Sequence, residues 1–365
     1  MTDLDRPTGD PVAVSAPTSE PAEHRTPWWR LDERQLVLVP LIVAIVVLSI
    51  YTNSRNDVFI SWTNAENILL QTAVLGIIAI GQTYLIAAGQ LDLSVGSLAS
   101  LSAVIGATMI RDGSSEAVAV VAVLVVGALI GLFWGLIVTR LRVPPFILTL
   151  GGLSVLQSLA LVRAGDVPVP ARDRFGWLNR EELLGIRMPI VMFLAVAIVS
   201  ALVLRYTRFG RHVFATGSSE EAAYLAGLPT QRTKLLVFVI NSTLCAFAGL
   251  ILMARIGAGD PRAGEGLELR AIAAVVLGGA TLAGGRGSAF GTWLGVILLG
   301  VVGSSLTFLD VDASYTDLVF GGVLIFAVVL TAVSELRRAS TGGLTAALGL
   351  DRLTRRPPPP PTSTP

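Results

Sequence analysis

Residues 68–88 read ILLQTAVLGIIAIGQTYLIAA, and this uncharged stretch decides the fold class. As a helix it is long enough to cross the roughly 30 Å of hydrocarbon in a bilayer, which takes about 20 residues. Because backbone groups in lipid must bond within their own segment, each such stretch is expected to be helical. The sequence therefore predicts an all-α, polytopic integral membrane bundle with about ten transmembrane segments. The predicted segments are 36–51, 68–88, 93–110, 117–138, 144–162, 190–204, 235–253, 271–283, 289–308 and 318–334.

The overall composition agrees with a membrane protein. Of 365 residues, 53% are hydrophobic and 15% are charged, whereas soluble domains carry about 25% charged residues. A net charge of +1 excludes a broad nucleic-acid-binding face. The single Cys245 and the distant His24 and His212 predict neither a disulfide framework nor a metal site.

The placement of arginine predicts the orientation of the segments. Basic residues accumulate in cytoplasmic connectors, and here they precede the first segment, follow the fourth, fill the connector 205–234 and follow the last segment. The connector with Asp310, Asp312 and Asp317 contains no basic residue. About ten crossings with both the N- and the C-terminus in the cytoplasm satisfy this pattern.

The two ends of the chain differ from the segments between them. Residues 1–30 are rich in Pro, Thr, Asp and Glu and lack the apolar core of a cleavable signal peptide. Residues 339–365 end in a proline run. We expect two disordered cytoplasmic tails, which flank a transmembrane domain at 31–338.

The first stretch that carries chemistry is GQLDLSVGS at residues 89–97. A carboxylate at membrane depth costs roughly 2.5–3.5 kcal/mol on insertion scales, so Asp92 is expected in a cavity, at a helix cap or at the interface. The glycines permit a break, and Asp92 or Ser94 can cap the helix that follows. Two interpretations stay open, an interfacial cap without solute contact and a functional residue.

A second glycine-dense stretch, GGATLAGGRGSAFG, occupies residues 278–291. A phosphate loop requires a lysine, and Lys234 is the only lysine of the chain, so we expect a tight cytoplasmic turn. Paired Gly-interrupted segments in the two halves of a chain also point to an inverted repeat with a midplane pathway. Small residues at four-residue spacing predict closely packed helices. They are Gly127, Gly131 and Gly135, then Gly291 and Gly295.

The connector 205–234 contains the ordered string GSSEEAAYLAGLP at residues 217–229. Ser218 or Ser219 can cap a short helix, and acidic residues are favoured in its first turn. A glycine and a proline can end it. Its alanines form a small-sided face that suits a groove on another protein, although an ordinary amphipathic loop has a similar composition. The alanines are Ala222, Ala223 and Ala226.

The segment Glu221-Ala222-Ala223, with Gly227 after it, resembles the first part of the EAA coupling loop of ABC importer permeases. The later Ile-x-Leu-Pro part is absent at its usual spacing. The wider set of motifs resembles the monosaccharide permease family of ABC importers, the ribose, xylose and arabinose type. Residues 89–97 match its Gly-Gly-Ile-Asp-Leu-Ser-Val-Gly-Ser string except at Gln90 and Leu91. Further matches lie at 143–151, 217–228, 259–266 and 271–288, and the resemblance covers about residues 36–335.

This resemblance implies a permease subunit of the bacterial inner membrane that forms the path for a pentose or hexose. It implies three protein partners: an ABC ATPase on the cytoplasmic face, a solute-binding protein outside, and a second permease in a homo- or heterodimer. ATP and Mg are used by the ATPase, so no cofactor and no catalytic residue are expected on this chain.

The same resemblance implies two groups of site residues. The ATPase-coupling residues are Gly217, Ser218, Ser219, Glu220, Glu221, Ala222, Ala223 and Gly227. Candidates for the pathway or its mouth are Asp92, Ser94, Phe146, Asp260 and Glu265.

Three alternatives remain at this stage. Within the same class, the solute can be a branched-chain amino acid, a nucleoside or another small polar molecule. An ion-coupled secondary transporter predicts buried charged relays, yet beyond Asp92 the segments contain almost none. A membrane enzyme requires clustered His or carboxylates at membrane depth, and the sequence shows no such cluster.

Overall fold

The computed structural model describes residues 33–171, 174–180, 182–183 and 185–329, most of them helical. Both predicted tails, 1–30 and 339–365, lie outside the described residues.

Helices follow one another along the chain with short connectors. In order they are α1 Glu33–Asn53, α2 Trp62–Ala87, α3 Val95–Arg111, α4 Glu116–Arg140, α5 Pro145–Ala164, α6 Gly176–Arg180, α7 Met188–Tyr206, α8 Arg208–Ser218, α9 Glu220–Leu225, α10 Thr230–Ile256, α11 Leu267–Leu277, α12 Ala289–Phe308 and α13 Thr316–Val329. Two antiparallel pairs of two-residue strands interrupt the helices: β1 Val169–Pro170 with β4 Ala258–Gly259, and β2 Glu182–Leu183 with β3 Ile186–Arg187.

Within the described residues, 6 helices are long and apolar enough to cross a membrane: α2, α4, α5, α7, α10 and α12. Shorter apolar helices cover Leu38–Asn53, α3 and α13. An integral membrane helical bundle is therefore confirmed. The count of about ten crossings and the cytoplasmic location of both termini stay predictions.

The predicted segments coincide with helices, and the largest difference is at α11. The prediction placed this segment at 271–283, whereas the helix runs from Leu267 to Leu277. Glycines explain both ends, because Gly266 (φ 78°) precedes the helix and Gly279 (φ 89°) follows it in the left-handed region. The apolar residues past Leu277 belong to the turn before α12.

Helices α2 and α10 form the centre of the bundle. From Thr72 to Ala87 every residue of α2 is buried, and α2 packs against α7, α10, α11 and α12. Burial in lipid-like surroundings requires internal partners for polar groups. The Thr83 hydroxyl meets this requirement, at 2.8 Å from the Ala79 carbonyl and 2.7 Å from the Thr292 hydroxyl of α12.

The glycines at four-residue spacing pack helices closely, as predicted. A Cβ at Gly131 of α4 would lie 2.5 Å from the Phe238 carbonyl of α10, and Gly127 and Gly135 face the same helix. A Cβ at Gly295 of α12 would lie 2.1 Å from the Ala274 carbonyl of α11, and Gly291 faces Gly278. Small residues thus allow the α4–α10 and α11–α12 backbones to approach each other.

The connector 257–266 runs along α3 towards the N-terminal end of that helix. Gly259 lies against Ala103 and Val104. The amide of Gly264 donates to the Ser100 hydroxyl at 2.8 Å, and Gly264 also lies against Gly96. From Ala103 to Gly96 the helix axis advances about 10 Å. The connector therefore follows α3 over this length, and α11 begins near the N-terminal end of α3.

Candidate coupling surface and solute pathway

The predicted break at Asp92 exists between α2 and α3. Helix α2 ends at Ala87, Gly89 has φ 71°, and α3 starts at Val95. The Asp92 side chain is 0% exposed. Its Oδ1 accepts from the backbone amide of Ser94 at 2.7 Å and from the Ser94 hydroxyl at 2.6 Å, and its Oδ2 accepts from Asn241 Nδ2 at 3.0 Å.

This geometry bears on the two interpretations of Asp92, an interfacial cap without solute contact and a functional residue. Ser94 occupies the cap position of α3, but its hydroxyl bonds to Asp92 instead of the helix amides. The carboxylate is fully buried, which excludes a solvent-exposed interfacial cap. Its three donors are neutral, and it links the break to the middle of α10.

Two further side chains hold the break in place. Gln82 of α2 donates through Nε2 to the Asp92 carbonyl, and the Thr149 hydroxyl of α5 accepts from the Leu93 amide at 3.1 Å. The sequence analysis identified Asp92 and Ser94 but missed Gln82, Thr149 and Asn241. These partners are far from the break in sequence or lie in apolar runs, so no local signal indicates them.

The coupling string forms a short helix with the predicted caps. Ser219 is the N-cap of α9, and its hydroxyl accepts from the Ala222 amide at 3.2 Å. Glu220 and Glu221 lie in the first turn, and Gly227 follows the helix with φ 80°. Lys234 of α10 donates to Glu220 at 2.5 Å, so an ion pair ties α9 to α10.

The exposed face of α9 differs from the predicted one. Ala223 is only 5% exposed and packs inwards, whereas Ala222 and Ala226 are exposed. Tyr224 and Leu225 project outwards, at 69% and 78% exposure. Two large apolar side chains therefore lie on the exposed side of α9, and the sequence analysis had not singled out these two residues.

Three glycine-containing stretches meet at the C-terminal end of α8. The Gly285 amide donates to the Ala87 carbonyl at 3.0 Å, which joins the end of α2 to the turn after α11. A Cβ at Gly217 would lie 2.0 Å from the Ala87 carbonyl oxygen. A Cβ at Gly284 would lie 2.7 Å from the Gly217 oxygen. The predicted coupling residue Gly217 therefore contacts both Gly-interrupted stretches, and we call Ala87, Gly89, Gly217, Gly284 and Gly285 the glycine junction.

The remaining pathway candidates do not gather in one cavity. Phe146 is in the first turn of α5 and 51% exposed. Asp260 and Glu265 are in the connector 257–266, where the Asp260 carboxylate accepts from the Arg262 amide at 2.8 Å. Gln157 of α5 donates to Glu265 Oε1 at 3.4 Å. Phe146 and Gln157 are eleven residues apart on α5, about 16 Å along its axis.

Comparison with known proteins decides the family. A family described as branched-chain amino acid transport system / permease component matches residues 64–328. The chain belongs to this permease family.

The matches to its relatives extend over most of both sequences. The permease is 34% identical to the L-arabinose ABC transporter permease protein AraH of Azospirillum brasilense, over 85% of this chain and 90% of the relative. It is 36% identical to the ribose import permease protein RbsC of Escherichia coli K12, over 83% of this chain and 94% of the relative. It is 32% identical to the xylose transport system permease protein XylH of Haemophilus influenzae, over 80% and 95% respectively.

No solved structure gives a significant match to this permease. Family membership and the apolar helices identify a transport subunit, not an enzyme, that is a multi-pass protein of the bacterial inner membrane.

Proposed function

We propose that the permease forms the translocation path for a monosaccharide in an ABC importer. The observation that carries this proposal is the identity of 34–36% to arabinose and ribose permeases over more than four-fifths of the chain. In this proposal a solute-binding protein delivers a pentose or hexose from outside, and a separate ATPase uses ATP and Mg²⁺ on the cytoplasmic face. A second permease, identical or different, completes the path.

The proposed topology has about ten crossings with both termini in the cytoplasm. It counts α1–α5, α7 and α10–α13 as crossings, and places α8 and α9 inside. The glycine junction supports this arrangement, because it brings together three connectors that the arginine pattern assigns to the same side.

The proposed coupling surface comprises Gly217, Ser218, Ser219, Glu220, Glu221, Ala222, Ala223 and Gly227, with Tyr224 and Leu225 as its apolar contacts. Closure of the ATPase dimer would move α9 as a rigid body. The Glu220–Lys234 ion pair and the short connector to α10 offer one route into the bundle, and the glycine junction offers another. Both routes end at the break that holds Asp92 and Ser94, where a shift of α10 would move Asn241 relative to α3.

The proposed pathway residues are Asp92, Ser94, Phe146, Asp260 and Glu265. In this scheme Asp92 and Ser94 position the N-terminal end of α3 and do not contact solute, because both are fully buried. Asp260 and Glu265 lie towards the outer side, on the connector between α10 and α11. Alternating access would then follow from rocking of the bundle around this region.

Reconstituted transport tests the proposed substrate class. Proteoliposomes with the permease, its ATPase and its binding protein are expected to accumulate labelled arabinose, ribose or xylose only with ATP. Uptake of leucine instead of a sugar would contradict the monosaccharide proposal, and uptake that a proton ionophore abolishes without dependence on ATP would contradict an ABC importer.

Leu225→Ala tests the coupling surface. Full burial of a leucine side chain is worth roughly 1.5–3 kcal/mol, and truncation to alanine removes part of this energy from a contact with the ATPase. We therefore expect severalfold weaker stimulation of ATP hydrolysis by the loaded binding protein, with normal thermal unfolding of the permease. Leu141→Ala is the matched control, since Leu141 is also an exposed leucine, at 69%, in another arginine-flanked connector. Equal effects of the two substitutions would remove α9 as the coupling surface.

A further inference from the structure

The outward face of α5 carries polar groups at membrane depth. Ser154 lies in the middle of this membrane-crossing helix and Ser158 one turn later, and both are exposed. With Val155, Leu159 and Val162 they line a shallow groove of about 330 Å³. Hydrocarbon offers no hydrogen-bond partner to a hydroxyl group, so two serines are unexpected on a helix face that is turned to lipid.

These two serines differ from several threonines of the long helices, whose hydroxyls bond back to their own helix. The hydroxyls of Thr72, Thr139 and Thr243 donate back to a carbonyl of their own helix at 2.6–2.7 Å. Within the described part of the chain, the Ser154 and Ser158 hydroxyls have no hydrogen-bond partner. They are free to bind a molecule in the groove.

A carboxylate and an amide lie beside the same part of α5. Gln157 donates to the Pro261 carbonyl at 2.9 Å and to Glu265 Oε1 at 3.4 Å. Gln157 is seven residues before the end of α5 at Ala164, about 10 Å along the axis, so Glu265 is below the outer end of the helix. Glu265 is exposed there.

The arginines nearest to Glu265 in sequence already have other partners. Arg262 pairs with Asp166 at 2.7 Å, and Arg270 pairs with Asp317 at 2.6 Å. Among the described residues, Glu265 has no cationic partner. An exposed carboxylate at this depth is stable only beside water, which places an aqueous space against this part of α5.

We propose that Ser154, Ser158, Gln157 and Glu265 form one wall of the solute path and bind the hydroxyl groups of the solute. The inference rests on the proposed importer function and deepens it. Hydroxyls offer both donors and acceptors, and the carboxylate accepts, so the set suits the hydroxyl groups of a polyhydroxylated solute. The groove is open on one side, and the second permease of the proposed dimer supplies the opposite wall.

Thiol labelling tests whether this face meets water. The single native cysteine, Cys245, is buried and is first replaced by alanine. In the assembled transporter, Ser154→Cys and Ser158→Cys are expected to react with a charged, membrane-impermeant thiosulfonate at least about tenfold faster than Leu129→Cys, because hydrocarbon excludes charge. Leu129 is the matched control, exposed at 58% on the apolar face of α4. Equal rates at the three positions would overturn the proposal.

A second measurement tests hydroxyl binding. Ser158→Ala is expected to reduce sugar uptake per ATP hydrolysed about threefold to tenfold, the worth of one hydrogen bond, and Ser158→Thr is expected to restore it. Leu129→Ala, on the exposed face of α4 away from the groove, is the control. If Ser158→Ala transports as well as Leu129→Ala, these hydroxyls do not bind solute.

The two proposals fail separately. Labelling depends only on where α5 lies in the assembled transporter, and not on which solute is carried. Wild-type protein that imports sugar while Ser154→Cys stays unreactive would remove the α5 wall alone. Reactive Ser154→Cys in a transporter that carries no sugar would remove the monosaccharide proposal alone.

Discussion

At the scale of single residues, the Asp92 carboxylate depends on its hydrogen-bond donors. It is fully buried, and three neutral donors from two residues, Ser94 and Asn241, replace the water that an ionised carboxylate requires. A carboxylate held in this way stabilises the break only while all its donors are present. Removal of the Asn241 amide is therefore expected to destabilise the protein more than removal of an ordinary buried amide.

Asn241→Leu keeps the size of the side chain but removes the donor to Asp92 Oδ2. The unpaired carboxylate oxygen is expected to lower the free energy of unfolding by about 1–3 kcal/mol, visible as a lower midpoint of thermal unfolding in detergent. Adding Asp92→Asn to this variant removes the charge and is expected to recover part of the loss. A single variant that unfolds at the wild-type midpoint would show that the Asn241–Asp92 bond contributes nothing.

Gly217 is a second residue whose identity follows from its surroundings. A Cβ there would lie 2.0 Å from the Ala87 oxygen and 2.6 Å from the Gly285 amide nitrogen, both backbone atoms that cannot move independently. Gly217→Ala is expected to cost about 1–3 kcal/mol through overpacking, and to impair ATP-driven uptake because the glycine junction is one of the two proposed coupling routes. In Gly176→Ala no atom lies within 4 Å of the added methyl, so this control should unfold and transport as wild type. Parallel behaviour of the two variants would contradict the junction.

At the scale of elements, α9 is too short to be stable by itself, because helices shorter than about 12 residues are marginal in water. Its stability comes from its Ser219 cap, from burial of Ala223 and from the Glu220–Lys234 ion pair. The ion pair is partly exposed and contributes little alone. The cap is thus the element-level feature that a substitution tests best.

Ser219→Ala removes the hydroxyl that accepts from the Ala222 amide, at a cost of about 1 kcal/mol. Hydrogen exchange of the α9 amides is expected to become roughly fivefold faster, the equivalent of that energy, with no change in α10. Ser219→Asp keeps an acceptor at the cap and should exchange like the wild type. Faster exchange in Ser219→Asp as well would mean that packing, and not the cap, holds α9.

The sequence predicted the positions of most helices and some of their close contacts. Apolar length located the helices because a lipid-crossing helix must be apolar along its whole length, and the glycine spacing correctly indicated the α4–α10 and α11–α12 contacts. The ends of α11 were misjudged because glycines, and not a change in hydropathy, end that helix. Ser154, Ser158 and Asn241 were missed because a single polar residue changes the mean hydropathy of an apolar segment very little. The role of such a residue also depends on the helix face that it occupies, which the sequence does not give directly.

At the scale of the whole molecule, the described contacts connect the proposed coupling surface on α9 to the bundle centre. Helix α9 contacts α10, α10 contacts the Asp92 break, and the break contacts α5 through Thr149. The outward face of α5 carries the proposed path wall. These contacts connect Leu225 to Ser154 through α9, α10, the Asp92 break and α5.

This scheme requires that α9 and the α12–α13 connector lie on opposite sides of the membrane. Ser314, an exposed residue between Asp312 and Tyr315, marks the predicted outer side, and exposed Ala222 marks the inner side. In a Cys245→Ala background, Ser314→Cys is expected to react with an impermeant maleimide in intact spheroplasts. Ala222→Cys is expected to react only after permeabilisation, and the cysteine-free protein should not react at all. Labelling of Ala222→Cys in intact spheroplasts would reverse the orientation and leave the ATPase without access to α9. In permeabilised cells both positions should react, and the absence of labelling at either one would contradict its exposure.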